Sequence, residues 1–155
     1  MNYIPEQVIL GLLEVPNEIS LIIPITGCSL HCNGCHSPEM QNEKNGEELT
    51  EEKFISLLFN YKNKASCICF FSGEFKISHL ITRAKNEGFK TALYSGFTNI
   101  KDIPFNILQN IDYLKLGEYN ELKGGLQEKT TNQRIYKIDN GNYEDITQLF
   151  WRNKL

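Results

Sequence analysis

Apolar residues at Phe54, Leu57, Leu58 and Tyr61, and again at Ile77, Leu80, Ile81 and Ala84, recur at i, i+3, i+4 and i+7, and short strand-like runs flank both groups. Alternation of this kind restricts the chain to parallel strands joined by helical crossovers, which are right-handed in nearly every case. The strand-like runs are residues 19–26, 66–71, 90–94 and 113–116. Thr50 is placed to cap the first helix, with Glu51 and Glu52 in its first turn, and Gly88 is placed to stop the second. Asp102 and Pro104 start a short helix that runs through Gln109. At the N-terminus, residues 7–15 and 19–26 flank Pro16-Asn17-Glu18 and read as an antiparallel hairpin, while residues 39–48 read as irregular. After Glu121 the pattern weakens into a loop over 123–133, a last strand over 134–138 and a final helix over 143–151. No linker, repeat or low-complexity segment divides the 155 residues, so a single domain over 1–155 is expected.

In parallel sheets the ligand lies beyond the carboxyl ends of the strands. The loops expected at that edge are 27–36, 72–76, 95–99 and 117–120. Composition narrows what can bind there. A net charge of −3 and the lack of a Lys/Arg-rich stripe with interleaved aromatics argue against nucleic acid, and no apolar run approaches a membrane span. Residues 1–16 lack the basic segment, apolar core and cleavage site of an export signal. A cytoplasmic protein is expected, in which five cysteines serve as reduced thiols or metal ligands rather than disulfides.

Three of those cysteines, Cys28, Cys32 and Cys35, are spaced C-x3-C-x2-C just after the run 19–25. Cubane iron–sulfur clusters normally take four thiolates, so a compact set of three leaves one iron open, and an open metal position is where substrate binds. Two other readings compete. Cys32-Asn33-Gly34-Cys35-His36 has the form of a c-type haem attachment signature, but that chemistry follows export. A structural zinc held by the three thiols and His36 is a known donor set, although such sites usually draw on two separated pairs. Crowding into one loop after a strand favours iron–sulfur over zinc.

The cysteine motif, together with Ser72-Gly73-Glu74 after the next strand, resembles the radical S-adenosylmethionine superfamily. Cys32–His36, the short length, Tyr94-Ser95-Gly96-Phe97-Thr98 and Thr130-Thr131-Asn132-Gln133-Arg134 resemble one branch of it, the anaerobic ribonucleoside-triphosphate reductase activating proteins, over about residues 19–138. The resemblance implies an α/β fold, a partial (incomplete) TIM-like barrel with mostly parallel strands and an N-terminal hairpin. It implies a [4Fe–4S] cluster on Cys28, Cys32 and Cys35 whose open iron chelates S-adenosylmethionine. One electron from such a cluster cleaves the sulfonium to methionine and a 5′-deoxyadenosyl radical, which removes a hydrogen from a glycine Cα of the partner. The implied partners are the large subunit of anaerobic ribonucleotide reductase and a low-potential electron donor such as flavodoxin or ferredoxin. A protein backbone as substrate leads one to expect a shallow, open cluster face.

By the same resemblance, Gly73 and Glu74 help hold S-adenosylmethionine, Glu74 near its amino group, while Ser95 and Gly96 are secondary contacts and His36 lies beside the cluster. Ser72 and Phe75 depart from the commoner Gly-Gly-Glu-Pro form, which alters the backbone approach and loses a rigid proline turn. Cys67 and Cys69 share one strand face and read as core, and His31 and His79 as exposed. Thr130 to Arg134 read as a mobile loop, by the resemblance either at the ligand edge or facing the partner, or else as a simple solvated connection. No side chain is expected to act as acid or base in the hydrogen abstraction. Two alternatives remain at this point: a radical S-adenosylmethionine enzyme for a small metabolite such as a deazapurine precursor, which a deep polar pocket would favour, or a non-enzymatic iron–sulfur or zinc domain.

Overall fold

The computed structural model describes residues 1–151. Its elements are β1 (Asn2–Tyr3), β2 (Ile9–Gly11), β3 (Ser20–Pro24), β4 (Glu47–Glu48), α1 (Glu51–Tyr61), β5 (Cys67–Phe71), α2 (Ser78–Asn86), β6 (Lys90–Tyr94), α3 (Phe105–Leu108), β7 (Tyr113–Leu116), β8 (Arg134–Asp139) and β9 (Asn142–Asp145). A seven-stranded sheet has the order β2-β3-β5-β6-β7-β8-β9, and β1 pairs with β4 apart from it. The central strands β3, β5, β6 and β7 are parallel, and β2, β8 and β9 are added antiparallel to their neighbours. The edge strands β2 and β9 do not pair with each other, so the sheet is open.

Local chemistry sets the helices. Thr50 caps α1 by accepting a hydrogen bond from the Lys53 N–H at 3.2 Å, and Glu51 and Glu52 complement the dipole of the first turn. Phe54 and Leu58 then bury on one stripe. In α2, Leu80, Ile81 and Ala84 do the same, and Gly88 ends the run in the left-handed region at φ +89°.

Period-two alternation sorts the strand side chains. Leu21, Ile23, Ile68, Phe70, Leu93, Leu114 and Leu116 join the helices in the main core, whereas Cys67, Cys69, Ala92, Tyr113 and Ile135 face the other way. Both sheet faces are therefore covered, as parallel strands require. Helices pack on one face; Val15, Leu126, Ile146 and Phe150, from connections, close part of the other.

Three departures from the sequence reading have local causes. The N-terminal hairpin is real but short, with ladder pairs from Ile9↔Ile22 to Gly11↔Ser20, and Leu12 and Leu13 lie exposed in its connection. Residues 39–48 contain a 3-10 turn at Pro38–Gln41 and strand β4, whose partner is the chain's own N-terminus. The helix expected over 143–151 is instead β9 followed by a 3-10 turn at Thr147–Phe150. Asn140 and Gly141 both have positive φ, +49° and +78°, which is the two-residue turn that folds β9 back onto β8. Among the described residues no helix is long and apolar enough to cross a membrane.

The connection of the hairpin is fastened by Glu18, just before β3, which pairs with Lys90 at 2.6 Å and accepts from the Ser66 hydroxyl. Burial alone would raise the Glu18 pKa, but hydrogen bonds from Lys90 and Ser66 outweigh it and hold the carboxyl below its ordinary value. A lowered folded-state pKa means this stabilisation is full above the unfolded carboxylate value and is lost as pH falls through the folded one. Glu18→Gln should therefore be less stable than wild type at neutral pH, with the gap closing between about pH 5 and pH 3. Urea midpoints of both proteins across that range test this, and a gap independent of pH would refute it.

Candidate functional site

Pro24, Phe71, Tyr94 and Lys115 are Cα partners in one row across the four parallel strands. The chain leaves the sheet just beyond this row, so four loops meet over it. They surround a cavity of about 610 Å³ on the helix-free side, walled by Cys28, Cys32, Cys35, Phe71, Glu74, Tyr94, Lys115 and Gln133 among others. This volume lies within the range of about 300–1,000 Å³ typical of ligand pockets. The shallow face expected from a protein substrate is thus backed by a real chamber.

The cysteine loop leaves β3 through Gly27 at φ +95°, and the N–H groups of Gly27 and Cys28 both donate to the Met40 carbonyl at 2.7 and 3.1 Å. A turn follows in which Cys35 N–H donates to Cys32 O at 3.1 Å. The Cys35 sulfur in turn accepts from the Ser37 N–H at 3.4 Å. All three thiols are free, half-buried and in the cavity wall. His36 is exposed, lines the cavity and packs on Tyr119 with ring centroids 4.5 Å apart. His31 is exposed and meets Gln41 Oε1 at 2.9 Å through Nδ1; His79 is exposed on α2.

The second loop is built into the core. A Cβ on Gly73, at φ +92°, would come within 2.9 Å of Ile77 Cγ2 and 3.0 Å of Ile25 Cγ2, so only glycine fits. Ser72 also adopts the left-handed region, at φ +66°, where a side chain is strained. The result turns Glu74 inward, 9% exposed, while Phe75 is left out at 72% exposed and stands edge-on to Phe97 at 6.0 Å.

In the third loop the Ser95 hydroxyl accepts from the Phe97 N–H at 3.1 Å, keeping its own proton for another partner. Gly96 makes room for the cysteine loop, because a Cβ there would lie 2.2 Å from Leu30 Cδ1. Tyr94 stacks on Phe71 at 4.8 Å and donates its phenol proton to the Glu14 carbonyl, tying the hairpin connection over the cavity.

Sequence reasoning missed Lys115. It is 8% exposed and donates to Gly117 O at 2.6 Å and Ser95 O at 3.4 Å, with its ammonium 5.9 Å from the centre of the Tyr94 ring. Burial pushes its pKa down to about 8, against the opposing pull of Cys32, Cys28 and Glu74. A lysine among Tyr113, Leu114 and Leu116, in a strand that reads as buried, was the available signal. The segment 130–134 is also more ordered than a solvated loop: Thr131 and Gln133 are buried, Thr131 Oγ1 donates to Gly124 O at 3.1 Å, and Gln133 Nε2 donates to Gly117 O at 3.3 Å. Cys67 and Cys69 are core, as their spacing indicated; burial raises the Cys67 thiol to about 12 and Cys69 well above the usual thiol value, and neither lines the cavity.

Among the described residues, no three His, Cys, Asp or Glu side chains converge closely enough to hold a single ion. The three loop thiols share a wall without meeting at a point. A cluster, which takes one thiolate per iron, suits that spread better than one tetrahedral zinc does.

A family model described as "4Fe-4S single cluster domain" matches residues 19–138. One curated relative is the pyruvate formate-lyase-activating enzyme of Clostridium pasteurianum, 27% identical over 106 residues, which cover 61% of this chain and 44% of the relative. The chain thus spans less than half the length of that protein. No solved structure matches.

Strain at Ser72 makes a direct stability test. Replacing it with glycine removes a left-handed penalty of about 1–2 kcal/mol while adding roughly 0.4–1 kcal/mol of unfolded-state entropy. Ser72→Gly should therefore gain between about 0 and 1.6 kcal/mol in denaturant unfolding. A loss of stability would show that the serine side chain is held by contacts worth more than its strain.

Proposed function

Because the chain belongs to the 4Fe-4S single cluster domain family, we propose that it is a radical S-adenosylmethionine activase that raises a glycyl radical on the large subunit of an anaerobic ribonucleotide reductase. The observation that carries this reading is the meeting of Cys28, Cys32, Cys35 and Glu74 on one cavity at the carboxyl edge of the parallel strands. The activating-enzyme relative supports the activase class. The narrower choice of partner rests on short length and on the motif residues 94–98 and 130–134. We read the open sheet, with helices on one face and the cavity on the other, as an incomplete TIM-like barrel forming one domain over 1–155. The cytoplasm, where thiols stay reduced, is the compartment this chemistry requires.

In this reading Cys28, Cys32 and Cys35 hold a [4Fe–4S] cluster and leave one iron without a protein ligand. When bound, that cluster supplies an electron from a low-potential donor such as flavodoxin or ferredoxin and turns S-adenosylmethionine into a hydrogen-abstracting radical. The protein's own work is positional. The Ser37 N–H donated to the Cys35 sulfur lowers charge on that thiolate. Glu74 presents a carboxylate to the ligand's amino end, Gly73 fixes the turn that aims it, and Ser95 and Gly96, from the neighbouring strand, bound the adjoining wall. Leu13, Leu30, Phe71, Leu126 and Phe150 exclude water from the chamber.

Electron paramagnetic resonance of the anaerobically reconstituted, reduced protein tests this. A cubane signal that changes on adding S-adenosylmethionine is expected, and Cys32→Ala should abolish the change together with most of the bound iron. With the reductase large subunit present, a glycyl-radical signal should then grow on that partner. An unresponsive cubane signal would refute the radical reading. A radical on pyruvate formate-lyase but not on the reductase would leave the activase class standing and overturn the partner.

A further inference from the structure

Cys28 stands in the wall of two cavities. Cys32 and Cys35 border the large chamber alone, whereas Cys28 also borders a smaller cavity of about 60 Å³ that it shares with Phe75, Lys76 and Phe97. The first cysteine is therefore approached from a second direction that does not pass through the chamber. An aromatic pair marks that approach. Phe97 is half-buried against the main core, and its carbonyl accepts from the Gly117 N–H at 2.8 Å, so its ring is a fixed base. Phe75 stands edge-on to it at 6.0 Å and is 72% exposed. Lys76 completes the face. A Cβ on Gly27 would lie 3.3 Å from Lys76 Nζ, so the ammonium rests against the residue before Cys28. Its ion pair with Glu43, at 3.8 Å, is long and exposed on both sides, which leaves the charge open to a visitor. Glu74, the anion in the same wall, is turned inward.

We propose that Phe75, Phe97 and Lys76 form the docking face for a flavodoxin-type electron carrier, and that the electron enters at Cys28 from outside the chamber. This rests on the radical S-adenosylmethionine reading for the need of an electron. A chamber of about 610 Å³ is of the size that one drug-sized ligand fills, so a carrier does not enter beside the ligand. The dimethylbenzene edge of a flavin is flat and apolar, and the open face of Phe75 is an aromatic surface for it. Carriers of this class present acidic residues around the flavin, and Lys76 supplies the opposite charge next to the ring. The step balances without an added reagent: the anionic flavin hydroquinone gives one electron to the oxidised cluster and is left as the neutral semiquinone, with no proton moved and no bond broken. Separate entrances let the carrier and the radical's target protein bind without displacing each other.

The test follows reduction of the cluster-loaded protein by flavodoxin hydroquinone and, separately, by dithionite, and measures flavodoxin binding by calorimetry. Phe75→Ser should weaken flavodoxin binding and slow its reduction of the cluster by about 10-fold, while changing the dithionite rate by less than about 2-fold. Lys76→Glu should slow the flavodoxin reaction most at low salt, with the difference from wild type fading as salt is raised. Both side chains are exposed, so neither change removes a core contact. Flavodoxin affinity should be unaltered by the reductase large subunit; competition between the two would put them on one face and overturn the inference. Equal slowing with both reductants would make Phe75 a support of the cysteine loop, which also overturns it. If wild-type protein assembles no cluster that responds to S-adenosylmethionine, the parent reading falls and this one with it. A responsive cluster whose flavodoxin binding is the same in wild type and both variants brings down this inference alone.

Discussion

Everything at the site depends on the common register of four parallel strands. Ser20, Cys67 and Lys90 are aligned at one end of β3, β5 and β6, and Pro24, Phe71, Tyr94 and Lys115 at the other. Parallel pairing fixes direction as well as neighbourhood, so loops distant in sequence must emerge together. The cysteine loop, the Gly73-Glu74 turn, the Ser95-Gly96 turn and the end of β7 meet only because none of these strands is offset or reversed. A one-residue slip in β7 would turn Lys115 into the helical core and Leu114 or Leu116 into the cavity.

The two faces of the sheet are filled differently, and the chamber lies on only one of them. On the helix side Ile68, Phe70, Leu93 and Leu114 are fully buried, large side chains. On the other side the corresponding positions include Cys67, Cys69 and Ala92, all small. Cys67, Cys69 and Ala92 are covered by a second packed cluster with Val15, Leu126 and Ile146, whereas Phe71 and Tyr94, at the carboxyl end of that face, line the chamber. The Tyr94 phenol then reaches Glu14 in the hairpin connection, so a segment with exposed Leu12 and Leu13 is still tethered to the floor.

Much of this was legible from the chain because the determinants are local. The helical spacing of Phe54 to Tyr61, the Thr50 cap, the Gly88 stop and the cysteine triplet after β3 each announce themselves within a few residues. What stayed hidden depends on pairing at a distance. Strand β4 is defined by Asn2 and Tyr3, far away in sequence. Tyr143, Ile146 and Phe150 mimic helical spacing, and only the Asn140-Gly141 turn and the β8 ladder decide for a strand. Lys115 was invisible as a site residue because the cavity it lines is formed by loops that arrive from other strands. The segment holding Gln133 was visible in the sequence as a motif but not resolved, because its polar residues resemble a solvated loop until the Gly117 carbonyl is in place.

The loops that form the site are anchored unequally, and the difference bears on how they respond to a bound cluster. The Gly73-Glu74 turn is wedged between Ile25 and Ile77, and its strain at Ser72 is offset by that packing and by the Ser72 N–H bond to Tyr94 O. The cysteine loop has only polar ties near its ends: the Met40 carbonyl, the His31–Gln41 contact and the Ser37 N–H, with Leu30 resting on Gly96. Its three thiols contribute no packed core. A loop held this way gains most of its order from whatever its thiolates bind, so binding free energy becomes local folding free energy. The Glu74 side of the cavity is preorganised by the protein; in the proposed reading the cysteine side is completed by the cluster that its thiolates would hold.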